Sequence, residues 1–97
     1  MVAESIKVLV IDDLPETREM LRKLLSFESD IEVVAEAATG REGLKLADEF
    51  QPDIVLMDIN MPDMDGITAT EEIKKTHPSI GVIIMSVQSN SIVFQKM

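Results

Sequence analysis

Short, near-continuous apolar runs alternate along this chain with longer stretches of helical periodicity. Four of the runs are typical of strands: Lys7–Ile11, Glu32–Ala35, Ile54–Met57 and Val82–Met85. Strands of this composition occur in parallel sheets, where helices cover both faces and leave no polar side. The βαβαβαβ order, with short loops and no linker, therefore predicts an α/β fold built on a doubly wound parallel sheet with right-handed crossovers.

Three helices are predicted between these runs. The first lies near Pro15–Phe27, the second follows the capping-box spacing of Thr39 and Glu42, and the third extends over about Gly66–Thr76. The apolar stripe of the first helix is expected to face the sheet. That stripe consists of Met20, Leu21, Leu24 and Leu25.

The segment after the fourth strand, residues 86–97, is predicted to form a turn and a short helix. Nothing then follows that would cover Val82–Met85. We therefore expect this strand to lie at an unprotected edge of the sheet, and the chain to self-associate through that edge.

Size and charge exclude several classes of function. The chain has 97 residues, of which 45% are hydrophobic, so it can form one core and one domain over residues 1–97. A formal charge of −9 argues against binding of a nucleic-acid backbone by this segment. The absence of cysteine excludes disulfides and thiolate metal sites. No apolar run has membrane-spanning length, so the sequence predicts a soluble cytoplasmic protein.

Aspartates stand at the ends of two predicted strands. Asp12 and Asp13 follow the first strand, and Asp58 follows the third. The carboxyl ends of parallel strands share one edge of the sheet, where ligands of doubly wound folds bind. At about 5 Å and an effective dielectric near 20, two carboxylates repel by roughly 3 kcal/mol. Mg²⁺, which prefers a few oxygen ligands, several waters and a phosphate oxygen, would relieve that repulsion.

Two further positions extend this predicted site. A sharp turn over Pro62–Gly66 would bring a main-chain carbonyl near the acids, and the hydroxyl of Ser86, at the end of strand four, could donate to a phosphoryl oxygen. Structural roles are also open for these residue types. Asp13 could cap the first helix, Asp65 the third, and Ser86 a helix after strand four.

Taken together, these motifs closely resemble the receiver domains of two-component response regulators. The resemblance rests on Asp12, Asp13, the strand Ile54–Asp58, the turn Asn60–Gly66 and the segment Ile83–Ser86, and it covers nearly the whole chain. It implies a flavodoxin-like fold with strand order 2-1-3-4-5.

The resemblance also implies a role for each residue. Asp58 would be the phosphoacceptor, charged by a sensor histidine kinase, a phosphotransfer protein or a small-molecule phosphodonor. Mg²⁺ would be bound by Asp12, Asp13, Asp58 and the main-chain carbonyl of Asn60. Ser86 would be the switch hydroxyl. The domain would then act as a phosphorylation switch on a downstream effector domain.

The sequence departs from the family at its C-terminal end. We expect the fifth strand, with its lysine and aromatic switch residue, and the final helix to be absent, so that the order is 2-1-3-4 and the domain is incomplete. Lys96 is not expected to replace the lysine, because it would lie in a helix after strand four.

Two other functions stay open. One is a receiver-like interaction module that is never phosphorylated. The other is a metal-dependent phosphatase with Asp58 as nucleophile, which is disfavoured because Asn60 occupies the place of the general acid and cannot transfer a proton. We therefore expect a signalling domain and not an enzyme.

Overall fold

The computed structural model describes residues 5–88 and 91–97, and its centre is a sheet of five strands. The strands, in chain order, are β1 (Ile6–Ile11), β2 (Ile31–Ala37), β3 (Ile54–Asp58), β4 (Gly81–Gln88) and β5 (Ser91–Lys96). Their order across the sheet is β2-β1-β3-β4-β5. Each of the four predicted strands lies within β1 to β4, and the predicted order 2-1-3-4 is confirmed.

Three helices connect the parallel strands: α1 (Pro15–Leu25), α2 (Gly40–Phe50) and α3 (Gly66–Thr76). The pairings β1–β2, β1–β3 and β3–β4 are all parallel, as βαβ connections require. The doubly wound α/β fold predicted from the sequence is therefore confirmed. In the part of the chain described, no helix is both long and apolar enough to cross a membrane.

Alternate residues of the strands face opposite sides of the sheet and form two apolar clusters. The cluster on the side of α1 contains Leu21, and the larger cluster on the other side contains Ala47 of α2 and Ile73 of α3. The stripe predicted for α1 is only partly correct, because the side chains of Met20 and Leu24 are exposed. The single helix on that face thus contributes a narrow line of contact.

The prediction for the tail is wrong. Residues 91–96 form β5, which pairs antiparallel with β4 and places Met85 opposite Phe94. A fifth strand is therefore present beside β4, but it runs antiparallel and follows β4 directly, without a connecting helix. Its β-branched and aromatic residues suit a strand, and pairing satisfies the backbone groups along β4 that a helix would leave open. Residues 89 and 90, part of the predicted turn, lie outside the described residues.

Two expectations change with this strand. The strand Val82–Met85 is not at the edge of the sheet, so the predicted self-association loses its structural basis. Lys96 lies in β5 opposite Ile83 and not in a helix. The edge of the sheet is β5 itself, on which every described side chain from Ile92 to Met97 is exposed.

Two helix caps follow the sequence prediction. The hydroxyl of Thr39 accepts a hydrogen bond of 3.1 Å from the amide of Glu42 at the start of α2. The carboxylate of Asp65 accepts one of 2.8 Å from the amide of Thr68 at the start of α3. These caps satisfy amides that have no partner within the helix and so define where α2 and α3 begin.

Candidate metal centre

Three aspartates meet at the carboxyl edge of the sheet. Asp12 and Asp13 follow β1, and Asp58 is the last residue of β3, the strand beside it. One carboxylate oxygen from each residue lies within 4.8 Å of the others. The structure thus brings together the three acids that the sequence placed at adjacent strand ends.

A cavity of about 340 Å³ opens at this point. All five site residues predicted from the sequence line it, namely Asp12, Asp13, Asp58, Asn60 and Ser86. The rest of the wall is mostly apolar and is formed by Leu14, Thr17, Leu21, Ile59, Met85 and Ile92. No lysine or arginine is among the lining residues in the described part of the chain.

Asp58 is the acid whose ionisation the site disfavours most clearly. Burial, together with a hydrogen bond to the side chain of Asp13, raises the pKa of Asp58 to about 6. The negative charges of Asp12 and Asp13 act in the same direction. The amide of Asn60 opposes them by donating to Oδ1 of Asp58 at 3.2 Å. The raised pKa of Asp58 therefore reflects its burial first, and the neighbouring carboxylates second.

Asp12 is the most buried of the three acids, with 5% of its surface exposed. Burial raises the pKa of its carboxyl group, and the amide of Leu14, which donates to Oδ1 at 2.8 Å, partly offsets the effect. Arg18 donates to the main-chain carbonyl of Asp12 at 2.7 Å. Asp12 is thus held in place by the first turn of α1.

Asp13 does not cap α1, contrary to one of the structural roles considered for it. The residue before the helix is Leu14, which provides no side-chain capping bond, and Pro15 is the first helical residue. The carboxylate of Asp13 lies instead within the acidic cluster, close to Asp58. Its position beside the other acids is what a metal site requires.

Ser86 lies inside β4, so the capping role considered for it is also wrong. The partner of Asp58 on β4 is Met85, which puts Ser86 one residue beyond Asp58 at the cavity wall. On the other side, Ser86 pairs with Val93 of β5. Lys96, opposite Ile83, lies farther back along the same pair of strands.

The loop between β3 and α3 is hydrogen-bonded to α2 by a contact that the sequence did not predict. The carboxylate of Asp63 accepts hydrogen bonds of 2.9 Å from the amides of both Gly40 and Arg41 at the start of α2. The turn around Asp63 was predicted, but its partners lie 23 and 22 residues away in the chain. Only the tertiary structure shows that contact.

The oxygen donors of the cluster fit Mg²⁺. Three carboxylates within 4.8 Å offer hard oxygen ligands on one side, and the open cavity leaves room for water and a phosphate oxygen on the other. The raised pKa of Asp58 is consistent with a site that needs a cation to neutralise it.

Comparison with known proteins shows the family. The response regulator receiver domain model matches residues 8–97, so the chain belongs to this family of signalling domains. It is 48% identical to the response regulator protein VraR of Staphylococcus aureus over 82 residues, which cover 84% of this chain and 39% of VraR. The chain thus spans about two fifths of the length of this curated relative.

Solved structures agree with the fold. The response regulator domain of Thermotoga maritima CheB is 38% identical, with a TM-score of 0.80, and the match covers 84% of this chain and 60% of that one. The CheX–CheY–BeF₃–Mg complex from Borrelia burgdorferi contains a second example: the matched chain is 31% identical, with a TM-score of 0.79, over 84% of this chain and 61% of that one. The flavodoxin-like fold implied by the sequence is confirmed.

Receiver domains typically bind Mg²⁺ at an acidic site, and Asp12, Asp13 and Asp58 form a cluster of that kind here. The domain therefore belongs to two-component signal transduction, as the sequence indicated.

Proposed function

We propose that this chain accepts a phosphoryl group on Asp58, in an Mg²⁺-dependent reaction, and thereby acts as a phosphorylation switch. The observation that carries the proposal is the convergence of carboxylate oxygens of Asp12, Asp13 and Asp58 within 4.8 Å in the lining of one cavity. Residues 1–97 are proposed to belong to a single receiver domain.

The reaction is the transfer of a phosphoryl group from a nitrogen or oxygen atom of the donor to a carboxylate oxygen. An oxygen of Asp58 attacks the phosphorus atom, the bond to the donor breaks, and the leaving group departs with the bonding electrons. With a pKa of about 6, the carboxyl group of Asp58 is mostly ionised at neutral pH and ready to attack. Because the amide of Asn60 holds Oδ1, the other oxygen, Oδ2, is assigned as the nucleophile.

The remaining residues position the reactants. Asp12, Asp13, Asp58 and the main-chain carbonyl of Asn60 are the proposed ligands of Mg²⁺. When bound, the ion neutralises charge on the carboxylates and on the phosphoryl oxygens. Ser86, on the strand next to Asp58, is the proposed switch hydroxyl, which would donate a hydrogen bond to a phosphoryl oxygen. Ser86 and the ligands of the ion are the groups of the described residues that would stabilise the charge on the phosphoryl oxygens.

The proposed donor is the phosphohistidine of a sensor histidine kinase or of a phosphotransfer protein, and a downstream effector domain is the proposed target of the switch. We place this reaction in the cytoplasm, where ATP charges such kinases. The chain is proposed not to be an enzyme acting on other phosphoesters, because Asn60 cannot serve as a general acid.

Trapping the phosphorylated residue tests the proposal. The protein is incubated with acetyl phosphate and Mg²⁺, reduced with borohydride and digested, and the modified residue is located by mass spectrometry. We expect modification of Asp58 alone, none in Asp58→Asn, and none when the metal is chelated. Modification of Asp12 or Asp63 would contradict the assignment, and an unmodified wild-type protein would favour the interaction module. Repeated turnover of a phosphoester substrate would favour the phosphatase.

A further inference from the structure

The loop that connects β3 to α3 is held by two contacts, one that closes its base and one near its middle. At its base, the amide of Gly66, where α3 begins, donates a hydrogen bond of 2.8 Å back to the carbonyl of Ile59, just after β3, which folds the loop into a closed turn. A β-carbon at Gly66 would overlap the carbonyl oxygen of Asp58, so the end of the loop lies directly against the end of β3. Asn60 lies inside this closed turn.

The second contact joins the loop to α2. Asp63 places one carboxylate oxygen 2.9 Å from the amide of Gly40 and the other 2.9 Å from the amide of Arg41. Both amides belong to the first turn of α2, where they have no partner within the helix and where the helix dipole favours a negative charge. The hydrogen bonds from Gly40 and then Arg41 hold the pKa of Asp63 below its usual range. The carboxylate is thus ionised when it makes the contact.

Packing reinforces the same contact. Met64 lies so close to Gly40 that a β-carbon at Gly40 would overlap Cγ of Met64. Met64 is partly buried and packs against the larger core cluster. The loop is therefore held at one place on α2, by the hydrogen bonds that two amides donate to the carboxylate of Asp63 and by the close packing of Met64 on Gly40.

Asn60 lies in the chain between Ile59 and Asp63, which make these two contacts, and it lines the same cavity as the three acids. Removing the bond from Asp63 to α2 would free the outer half of the loop while leaving the acids on their strands unchanged. Since a metal ligand must be held within a fraction of an ångström to bind well, residues that hold ligands in place influence metal affinity without touching the ion.

We propose that Asp63 is a positioning residue of the metal site, which, by fastening the β3–α3 loop to the start of α2, keeps the main-chain carbonyl of Asn60 beside Asp12, Asp13 and Asp58. The inference rests on the proposed function, because it takes that carbonyl as a ligand of Mg²⁺. It adds a residue that touches neither the ion nor the phosphoryl group. It also makes the first turn of α2 part of the site.

Two variants separate this role from a general effect on stability. Asp63→Ala removes the acceptor of both amides, Gly40 and Arg41. Thr39→Ala removes a cap from the same helix end, but Thr39 accepts from Glu42 within α2 and makes no hydrogen bond to the loop. Each variant should lower the melting temperature, because each leaves helix amides without partners. Asp63→Asn, which keeps one good acceptor oxygen, should lie between wild type and Asp63→Ala.

The measurement is Mg²⁺ affinity, from the amide shifts of the folded protein, together with hydrogen exchange at the amide of Gly66 in the absence of metal. We expect Asp63→Ala to weaken Mg²⁺ binding by about tenfold or more and to speed exchange at Gly66. Thr39→Ala should change neither. In wild type, Mg²⁺ should in turn slow exchange at Gly40 and Arg41, because coupling between two sites is reciprocal.

Equal Mg²⁺ affinity in Asp63→Ala and Thr39→Ala would overturn the positioning role, even if both variants were less stable than wild type. A wild-type protein that binds no Mg²⁺ would instead contradict the proposed function. In that case exchange at Gly66 decides the structural part: faster exchange in Asp63→Ala alone supports the fastening of the loop, and equal exchange in both variants overturns it. If Asp63→Ala does not fold, the same comparison is made with Asp63→Asn.

Discussion

Gly66 lies against Asp58 so closely that a β-carbon at position 66 would overlap the main-chain carbonyl oxygen of Asp58. The obstacle is backbone at the end of a central strand, which cannot move aside as a flexible side chain can. Glycine is required here by the close approach, since its backbone dihedral angle is not in the left-handed region. The first turn of α3 and the last residue of β3 therefore constrain each other.

Gly66→Ala should for this reason destabilise the protein and weaken Mg²⁺ binding together. Overpacking typically costs about 1 to 3 kcal/mol, more than the gain of up to about 1 kcal/mol that alanine brings to a helix. The control is Gly81→Ala, where the nearest atom is the flexible Cδ1 of Ile54 at 3.0 Å. Chemical denaturation and Mg²⁺ titration check both variants. Equal stability of the two would show that the contact at Gly66 yields without cost.

Asp58 should lower the free energy of unfolding as the pH rises from about 4 to about 6. The pKa of this carboxyl group is raised from 3.8 to about 6 in the folded protein. The contribution of the protonated carboxyl group to the free energy of unfolding is therefore fully present below about pH 4 and is lost as the pH rises through 6. Asp58→Asn should be more stable than wild type by about 1 to 2 kcal/mol at pH 7, after allowance for solvent screening, with no difference below pH 4.

The carboxyl group of Asp63 should have the opposite effect on stability. Its pKa is lowered by the amides of Gly40 and Arg41, so its contribution is present at neutral pH and is lost as the pH falls through the folded pKa. Asp63→Asn should then be less stable than wild type at pH 7, opposite to Asp58→Asn. Urea denaturation at a series of pH values measures both differences. The same sign for the two variants at pH 7 would contradict these electrostatic assignments.

The parts predicted from the sequence are those fixed by local pattern and topology. Continuous apolar runs indicated β1 to β4, and the meeting of parallel strand ends placed Asp12 and Asp13 beside Asp58. The parts missed depend on partners far apart in the chain. The β-branched and aromatic residues from Ile92 to Phe94 favour a strand, but a run this short does not by itself exclude a helix, and it forms a strand because β4 offers an unpaired edge. Asp63 likewise required knowledge of where α2 begins.

Asp13→Asn should weaken Mg²⁺ binding by about tenfold or more, because it removes a charged ligand from a site with few protein ligands. It should also lower the pKa of Asp58, which the side chain of Asp13 helps to raise. Asp30→Asn is the control, since it removes the same charge from an exposed turn outside the cavity. Amide shifts during Mg²⁺ titration are the readout. An unchanged affinity in Asp13→Asn would remove Asp13 from the site.

The pairing of β4 with β5 can be tested by a disulfide, because the chain has no cysteine of its own. The amide of Met97 donates to the carbonyl of Val82 at 2.9 Å, which marks a hydrogen-bonded pair. The next pair, Ile83 with Lys96, is then a non-hydrogen-bonded one, with α-carbons about 4.5 Å apart, close enough for a disulfide.

The variant Ile83→Cys/Lys96→Cys should therefore oxidise to an intrachain disulfide and gain up to about 3 kcal/mol of stability, as expected for a loop of this size. In the control Ile83→Cys/Gln95→Cys, the second cysteine faces the other side of the sheet, because side chains alternate along a strand. It should stay reduced under the same conditions. Thiol titration and mass spectrometry without reduction distinguish the two. Equal oxidation of both variants would indicate a mobile or helical tail, as first expected from the sequence, instead of a strand paired with β4.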